Sequence, residues 1–103
     1  MARYALRILC VAMAVLAANP VGAADPTSGK RLSDGSCGAC HGFNGIGIIP
    51  LYPNLAGQKR EYLVAQLQAF RDGSRKNAIM SPMAAHLSDA DIDNVAAYLS
   101  SLK

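Results

Sequence analysis

The chain has 103 residues with a formal net charge of +3, and hydrophobic residues make up 51% of it. Both values include an N-terminal leader; without its two arginines, eight Lys and Arg face seven Asp and Glu, so the basicity gives no reason to expect nucleic-acid binding. Removal of the leader leaves about 79 residues, and a domain this small usually needs a disulfide, a metal or a cofactor to supplement its core.

Residues 1–24 have the layout of a secretory signal peptide. Two arginines precede an apolar run over residues 8–18, and small residues follow it. We expect cleavage after Ala23 or Ala24. A membrane anchor is the alternative, but about eleven apolar residues fall short of the roughly twenty that a bilayer crossing needs. A lipid anchor at Cys10 is disfavoured because a bulky leucine precedes it, where a lipidation site wants a small residue.

The mature domain, residues 25–103, is predicted to be a single all-α domain, because no segment shows a convincing strand alternation. Asp25 and Pro26 form a plausible helix start, with proline at the first helical position. Residues 42–57 are so rich in glycine and proline that we expect an irregular loop there.

Two further helices follow the loop. An apolar stripe predicts a helix over about 59–72, with Gly73 placed to end it. Ser88 and Asp91 have the spacing of an N-cap and a capping-box partner, so the last helix should begin there. The apolar positions of the two helices are Leu63, Val64, Leu67, Phe70, Ile92, Val95, Ala96, Leu99 and Leu102.

The stretch "CGACHG" places Cys37, Cys40 and His41 close together. A thioredoxin-like redox pair would need a preceding strand, and a zinc site would need further ligands, of which only His86 remains. Covalent haem c fits better. Thiols at i and i+3 lie on one side of a helical turn and can both bond to one porphyrin edge, while the next residue supplies an imidazole to the iron. A disulfide or a zinc site stays the alternative.

The sixth coordination position of such an iron decides between an electron carrier and a catalyst. Met80 and Met83 are the candidate ligands, with His86 as a third. A methionine more often fills a core, but these two lie in a polar, turn-like stretch around Pro82 that suits a ligand better than a core residue. A neutral thioether favours ferrous iron and raises the reduction potential relative to a second histidine.

These motifs resemble those of class I cytochromes c, and the chain is most similar to the small bacterial periplasmic domains of the cytochrome c-four and c-five type. The likeness extends over nearly the whole mature domain and includes "PNLAGQ", "YLVAQLQAFRDGSRKN" and "MSPMAAHLSDADI". It implies an all-α fold of three to four helices wrapped around one covalently bound haem.

The resemblance also implies roles for single residues. The carbonyl of Pro53 would accept the Nδ1 proton of His41, and such a bond orients and strengthens the ligand. Counting back from the leucine of "LSD" gives Met80 as the axial methionine, with Met83 as the alternative. Gly29 would pack against Tyr98 of the last helix.

Two further positions have expected roles near the haem or the first helix. Ser33 stands where the family often has an aromatic residue, and Leu32 is expected to take over that packing. Asn77 is a candidate hydrogen-bond donor to the sulfur of Met80.

The function expected is periplasmic electron transfer, with the iron cycling between ferric and ferrous forms and no enzyme site in the chain. Partners would be redox proteins, such as a membrane or periplasmic reductase and a terminal oxidase or dehydrogenase, which dock transiently. Neither nucleic acid nor a membrane span after signal cleavage is expected. The alternatives are a haem-bearing subunit of a larger respiratory or sulfur-oxidising complex, and a haem sensor or enzyme with a labile sixth ligand.

Overall fold

A computed structural model describes residues 23–103 of the chain. The predicted signal peptide lies almost wholly outside these residues. The described part contains four helical segments and no strand, which confirms the expected all-α class. None of the helices in this part is long and apolar enough to cross a membrane.

The first helical segment is continuous but changes its winding. It starts as α1 (Pro26–Leu32), widens into a π turn (Ser33–Cys37) and ends as α2 (Gly38–His41). The carboxylate of Asp25 accepts the backbone amide of Thr27 at 3.0 Å, so the predicted cap is confirmed. The π turn was not predicted, because its residues carry no periodic signal of their own.

The second and third segments are α3 (Arg60–Asp72) and α4 (Met80–Ala85). Helix α3 ends as predicted at Gly73, whose φ of 85° is the left-handed conformation that glycine adopts without strain. Helix α4 occupies a segment for which the sequence predicted a turn-like stretch. Pro82 is compatible with it because the third residue of a helix has no intrahelical acceptor for its amide.

The last helix, α5 (Asp89–Ser101), begins with the predicted capping box. The hydroxyl of Ser88 accepts the amide of Asp91, and the carboxylate of Asp91 accepts the amide of Ser88, each at 3.0 Å. Two otherwise unsatisfied donors at the helix start are thereby paired.

The core lies where the inner faces of α3 and α5 meet, with α1 across them. Its buried residues are Leu63, Val95, Ala96 and Leu99, and Leu32 packs against them as expected. Gly29 lies against α5: the atoms nearest to a methyl group added there are backbone atoms of Asn94 and Val95, and its packing on the ring of Tyr98 stays a prediction. A glycine is needed because a methyl group there would overlap the carbonyl of Asn94. The helix backbones of α1 and α5 therefore touch directly.

Candidate functional site

Cys37 and Cys40 lie on the same helical segment, at the end of the π turn and within α2. Both thiols are half-buried, and no disulfide joins them. Burial raises the pKa of the Cys37 thiol above its usual value, although a hydrogen bond with Ser33 acts in the opposite direction. The two free thiols lie one helical turn apart, and His41 directly follows the second of them in the sequence.

The π turn ends at Cys37, the first of the two cysteines. The backbone amide of Gly38 donates to the carbonyl of Ser33, five residues back, which is the bonding pattern that widens the turn. Ser33 is 2% exposed, so the widened turn is packed against the rest of the fold. Single π turns of this kind often occur at functional sites.

His41 ends α2 and is 7% exposed. Its Nδ1 lies 2.8 Å from the carbonyl oxygen of Pro53, twelve residues further along the chain. A carbonyl can only accept, so this Nδ1 carries the proton and donates it. The lone pair of the neutral ring is then on Nε2, which is the atom left for a metal.

The loop between α2 and α3 folds back on itself to present Pro53. The carbonyl of Gly45 accepts the amides of Leu55 at 2.7 Å and Ala56 at 3.0 Å. The side chain of Asn54 accepts the amide of Gly47 at 2.9 Å, which ties the residue next to Pro53 across the loop. Sequence reasoning missed Asn54, because an asparagine in a glycine-rich loop does not reveal which distant amide it caps.

Tyr52 is a second residue that the sequence did not single out for the site. Its ring centroid is 6.4 Å from that of His41, and the two ring planes are inclined by 56°. An edge-inclined pair at this separation is a favourable arrangement for aromatic rings. Tyr52 therefore packs beside the imidazole and helps to restrict its orientation.

Met80 is the first residue of α4 and is half-buried, whereas Met83 is 42% exposed. The expected hydrogen bond from Asn77 to the Met80 sulfur is replaced by a different contact. The side-chain oxygen of Asn77 accepts the backbone amides of Ile79 and Met80, each at 2.9 Å. His86 is exposed beyond the end of α4, as a surface residue would be.

The other metal and redox interpretations of the cysteine pair find no support in the described part of the chain. No three His, Cys, Asp or Glu side chains gather there as a metal-binding group, so the arrangement that a zinc site needs is missing from residues 23–103. The strand that a thioredoxin-like motif needs before its cysteines is also missing between residues 23 and 37.

The donor set and the surrounding surface fit haem c. Two free thiols and one nitrogen with an unused lone pair lie on adjoining turns. Large apolar side chains near this segment and on α3 and α4 are not covered by protein, which suits a flat, mostly apolar group that the chain wraps. These exposed side chains are Phe43, Ile46, Ile48, Ile49, Leu51, Tyr62, Ile79 and Met83.

Comparisons with known proteins agree with this geometry. A family model described as cytochrome c matches residues 26–103. Cytochrome c-554(548) of Halomonas halodenitrificans is 54% identical over 70 residues, which cover 65% of this chain and 84% of the relative. A thiosulfate dehydrogenase electron acceptor of Thiomonas intermedia is 51% identical over 69 residues, which cover 66% of this chain and 32% of that protein.

The fold comparison gives the same answer. The crystal structure of reduced cytochrome c4 from Pseudomonas stutzeri superposes with a TM-score of 0.72 at 37% identity, over 81% of this chain and 52% of that one. The chain therefore spans about half of the cytochrome c4 and a third of the Thiomonas protein. With its matched length, its two neighbouring free thiols and its oriented imidazole, the chain belongs to the cytochrome c family, whose members carry covalently attached haem c and transport electrons.

Proposed function

We propose that residues 25–103 form a mature monohaem c-type cytochrome that carries single electrons in the periplasm, with Cys37 and Cys40 as the haem attachment points and His41 and Met80 as the axial ligands. The observation that carries the proposal is the hydrogen bond of 2.8 Å between His41 Nδ1 and the carbonyl of Pro53. It leaves Nε2 available on the residue that directly follows the second thiol.

Each of these residues has a separate task. Cys37 and Cys40 hold the cofactor on one helical segment, so that its position relative to His41 cannot drift. The carbonyl of Pro53 accepts a hydrogen bond from Nδ1, which fixes the orientation of the imidazole and makes its second nitrogen a stronger donor. The haem, when bound, supplies an iron that takes up and releases one electron. Met80 would provide a neutral thioether to the iron, which favours the reduced form.

The pair of protein ligands explains why the chain is an electron carrier. With His41 and Met80 both bound to it, the iron would have no free position for a substrate, and its surroundings would change little when one electron is added. An enzyme or a gas sensor would need a vacant or labile sixth position. The half-buried placement of Met80 at the start of a helix supports a fixed ligand.

The periplasmic location rests on the sequence of residues 1–24. These residues are proposed to be removed as a signal peptide, and covalent attachment through Cys37 and Cys40 leaves no free thiol in an oxidising compartment. Determining the N-terminal residue of the protein from native cells tests the cleavage: the sequence should start at Ala24 or Asp25.

The partners are proposed to be other redox proteins that dock transiently. With the leader removed, the charge of the chain is near +1, and two haem propionates bring it close to neutral. Long-range attraction to a strongly charged partner is therefore weak, and local groups must orient the encounter. Small contact areas and short lifetimes are usual for such redox encounters.

A second candidate is that the domain takes electrons from a sulfur-oxidising dehydrogenase, as its free acceptor or as a bound subunit. The 51% identity with the thiosulfate dehydrogenase electron acceptor favours this candidate. Size-exclusion chromatography of native periplasmic extract distinguishes the two arrangements. A free carrier elutes as a small protein, whereas a bound subunit elutes with a large partner that mass spectrometry can identify.

The decisive test of the ligand assignment is a redox titration followed by visible spectra. We expect wild type and Met83→Ala to share a weak far-red sulfur-to-iron band in the oxidised form and to exclude carbon monoxide when reduced. Met80→Ala should lose the band, bind carbon monoxide and show a lower reduction potential. If Met80→Ala matches wild type while Met83→Ala loses the band, the sixth ligand is Met83. If wild type itself binds carbon monoxide, the carrier proposal gives way to a sensor or an enzyme.

A further inference from the structure

Asn77 and Ser81 are joined by hydrogen bonds that enclose Met80. The side-chain oxygen of Asn77 accepts the amides of Ile79 and Met80, each at 2.9 Å. In return, the amide of Asn77 donates to the hydroxyl of Ser81 at 3.0 Å, and the amide of Ser81 donates to the carbonyl of Asn77 at 3.0 Å. We call these four bonds the 77–81 clasp.

The clasp matters because α4 is short. Its six residues, Met80–Ala85, are far below the length at which an isolated helix is stable in water. Among them only Ala84, near the far end, is fully buried. The start of the helix, where Met80 lies, has no comparable anchor in the core and depends on Asn77 for partners of its first amides.

The position of the first turn of α4 is important because this helix carries a second methionine, Met83. Side chains three residues apart lie on the same side of a helix, so α4 carries two thioethers on one face. The clasp holds the residues on either side of Met80, and it includes no atom of Met83. A shift of the helix start would therefore move Met80 without moving the buried end of α4.

We propose that Asn77 and Ser81 are positioning residues that hold Met80 in place as the sixth ligand, by fixing the backbone of residues 79–81 through the 77–81 clasp. The proposal rests on the ligation by His41 and Met80 proposed above. Neither residue needs to contact the haem. Their effect is on the fraction of time for which the thioether is withdrawn from its position.

An external ligand measures that fraction. Imidazole binds oxidised haem protein only when the methionine is withdrawn, so its apparent dissociation constant is the intrinsic constant divided by the withdrawn fraction. A variant that loosens the clasp binds imidazole more tightly, even when its overall fold is intact. The experiment uses the holoprotein in a Met83→Leu background, so that no second thioether can replace Met80.

Four variants separate positioning from general stability. Asn77→Ala removes the oxygen that accepts two amides and should tighten imidazole binding about tenfold, the size of effect seen when a helix cap is lost. Ser81→Ala should give a smaller change in the same direction, and Asn77→Asp, which keeps an acceptor oxygen, should restore nearly the wild-type affinity. Ser88→Ala is the matched control, because it likewise removes a side-chain oxygen that accepts a backbone amide at a helix start, here that of α5. It should lower the unfolding midpoint and leave imidazole affinity unchanged.

A second readout does not involve the iron. Hydrogen exchange at the amides of Ile79 and Met80 should accelerate about tenfold in Asn77→Ala, because both amides lose their acceptor. The same two amides should be unaffected in Ser88→Ala.

The proposal is overturned if Asn77→Ala binds imidazole as wild type does, or if Ser88→Ala tightens imidazole binding as much as Asn77→Ala. Either result is separate from a failure of the ligand assignment. If the ligand assignment itself were wrong, Met80→Ala would leave both the imidazole affinity and the far-red band unchanged. If Met80→Ala binds imidazole tightly and Asn77→Ala does not, Met80 is the ligand and the clasp does not position it.

Discussion

The imidazole of His41 and the carbonyl of Pro53 are joined by a hydrogen bond of 2.8 Å that spans a loop of twelve residues. The bond depends on the loop, because Pro53 is exposed and has no helix or strand around it. One contact that holds the loop next to this carbonyl is made by its neighbour, Asn54, whose side chain accepts the amide of Gly47 at 2.9 Å. The orientation of the buried ligand is thus determined by contacts within an exposed segment.

Asn54→Ala should therefore destabilise the loop and loosen the bond to His41. We expect the free energy of unfolding to fall by about 1 kcal/mol, which is typical for one lost hydrogen bond, and the Nδ1 proton of His41 to exchange faster with solvent. Urea unfolding and proton NMR of the reduced protein measure the two effects. Asn44→Ala is the control, since Asn44 accepts only the amide of Ile46, two residues away. Equal exchange rates in the two variants would contradict the prediction.

The contact between α1 and α5 predicts a pair of glycine variants with different outcomes. A methyl group at Gly29 would overlap the carbonyl of Asn94, whereas one at Gly35 would meet no atom within 4 Å. Gly29→Ala should lower the free energy of unfolding by about 3 kcal/mol, at the upper end of the range for overpacking, because backbone must move. Gly35→Ala should be neutral or slightly stabilising. Urea midpoints of the two variants test this, and similar midpoints would show that the helices separate without cost.

Arg71 should matter more for stability than its ion pair suggests. Its guanidinium donates to the carbonyl of Leu87 at 3.0 Å and to the carboxylate of Asp89 at 2.6 Å, which connects α3 to the start of α5. The Asp89 side chain is 81% exposed, so the ion pair itself contributes little. We expect Arg71→Ala to cost about 1–2 kcal/mol, because the carbonyl of Leu87 loses a charged donor.

Asp89→Ala is the matched variant for this interaction. It removes only the exposed carboxylate and should cost less than about 0.5 kcal/mol. The thermal unfolding midpoints of the two variants test this difference. If Asp89→Ala is as destabilising as Arg71→Ala, the ion pair and not the carbonyl contact is responsible.

The carboxylate of Asp72 gives a prediction about pH. The amide of Ser74 donates to it at 2.8 Å, and this bond, together with the Ser74 hydroxyl, lowers the pKa of Asp72 below its usual value. A carboxyl with a lower pKa in the folded than in the unfolded state adds stability above the unfolded value of about 3.9, and the addition disappears as the pH falls through the folded pKa.

Asp72→Asn keeps an acceptor oxygen and removes the titration. The difference in urea midpoint between wild type and Asp72→Asn should stay constant from about pH 7 to pH 5 and change in favour of the variant below about pH 4. A difference that stays constant to about pH 3 would mean that the carboxylate gains nothing from Ser74 in the folded state.

Much of the helical framework could be predicted, because local chemistry determines where these helices start and end. Pro26 at the first helical position, Gly73 in the left-handed conformation and the capping box at Ser88 all act within a few residues. The spacing of Cys37, Cys40 and His41 is equally local, and it identified the cofactor before any fold was known.

Other features depend on contacts that the sequence does not display. The π turn at Ser33–Cys37 has no periodic signal in the sequence, and α4 is held by Asn77 from outside its own range. The close approach of Gly29 to the backbone of Asn94 and Val95 is a further example, because it arises where two helices distant in sequence cross. The predicted signal peptide lies almost wholly outside the described residues and stays a prediction.

The approach of α1 to α5 also determines where the two ends of the domain lie. The backbone amide of Asp25 donates to the side chain of Asn94 at 2.8 Å, and α5 continues for seven residues beyond Asn94. The points at which the chain enters and leaves the domain are therefore roughly 10 Å apart along α5. Closely placed ends allow a fold to be joined in tandem by a short linker without rearranging its interior. Two such units linked in this way would have about the length of the cytochrome c4 of which this chain covers 52%.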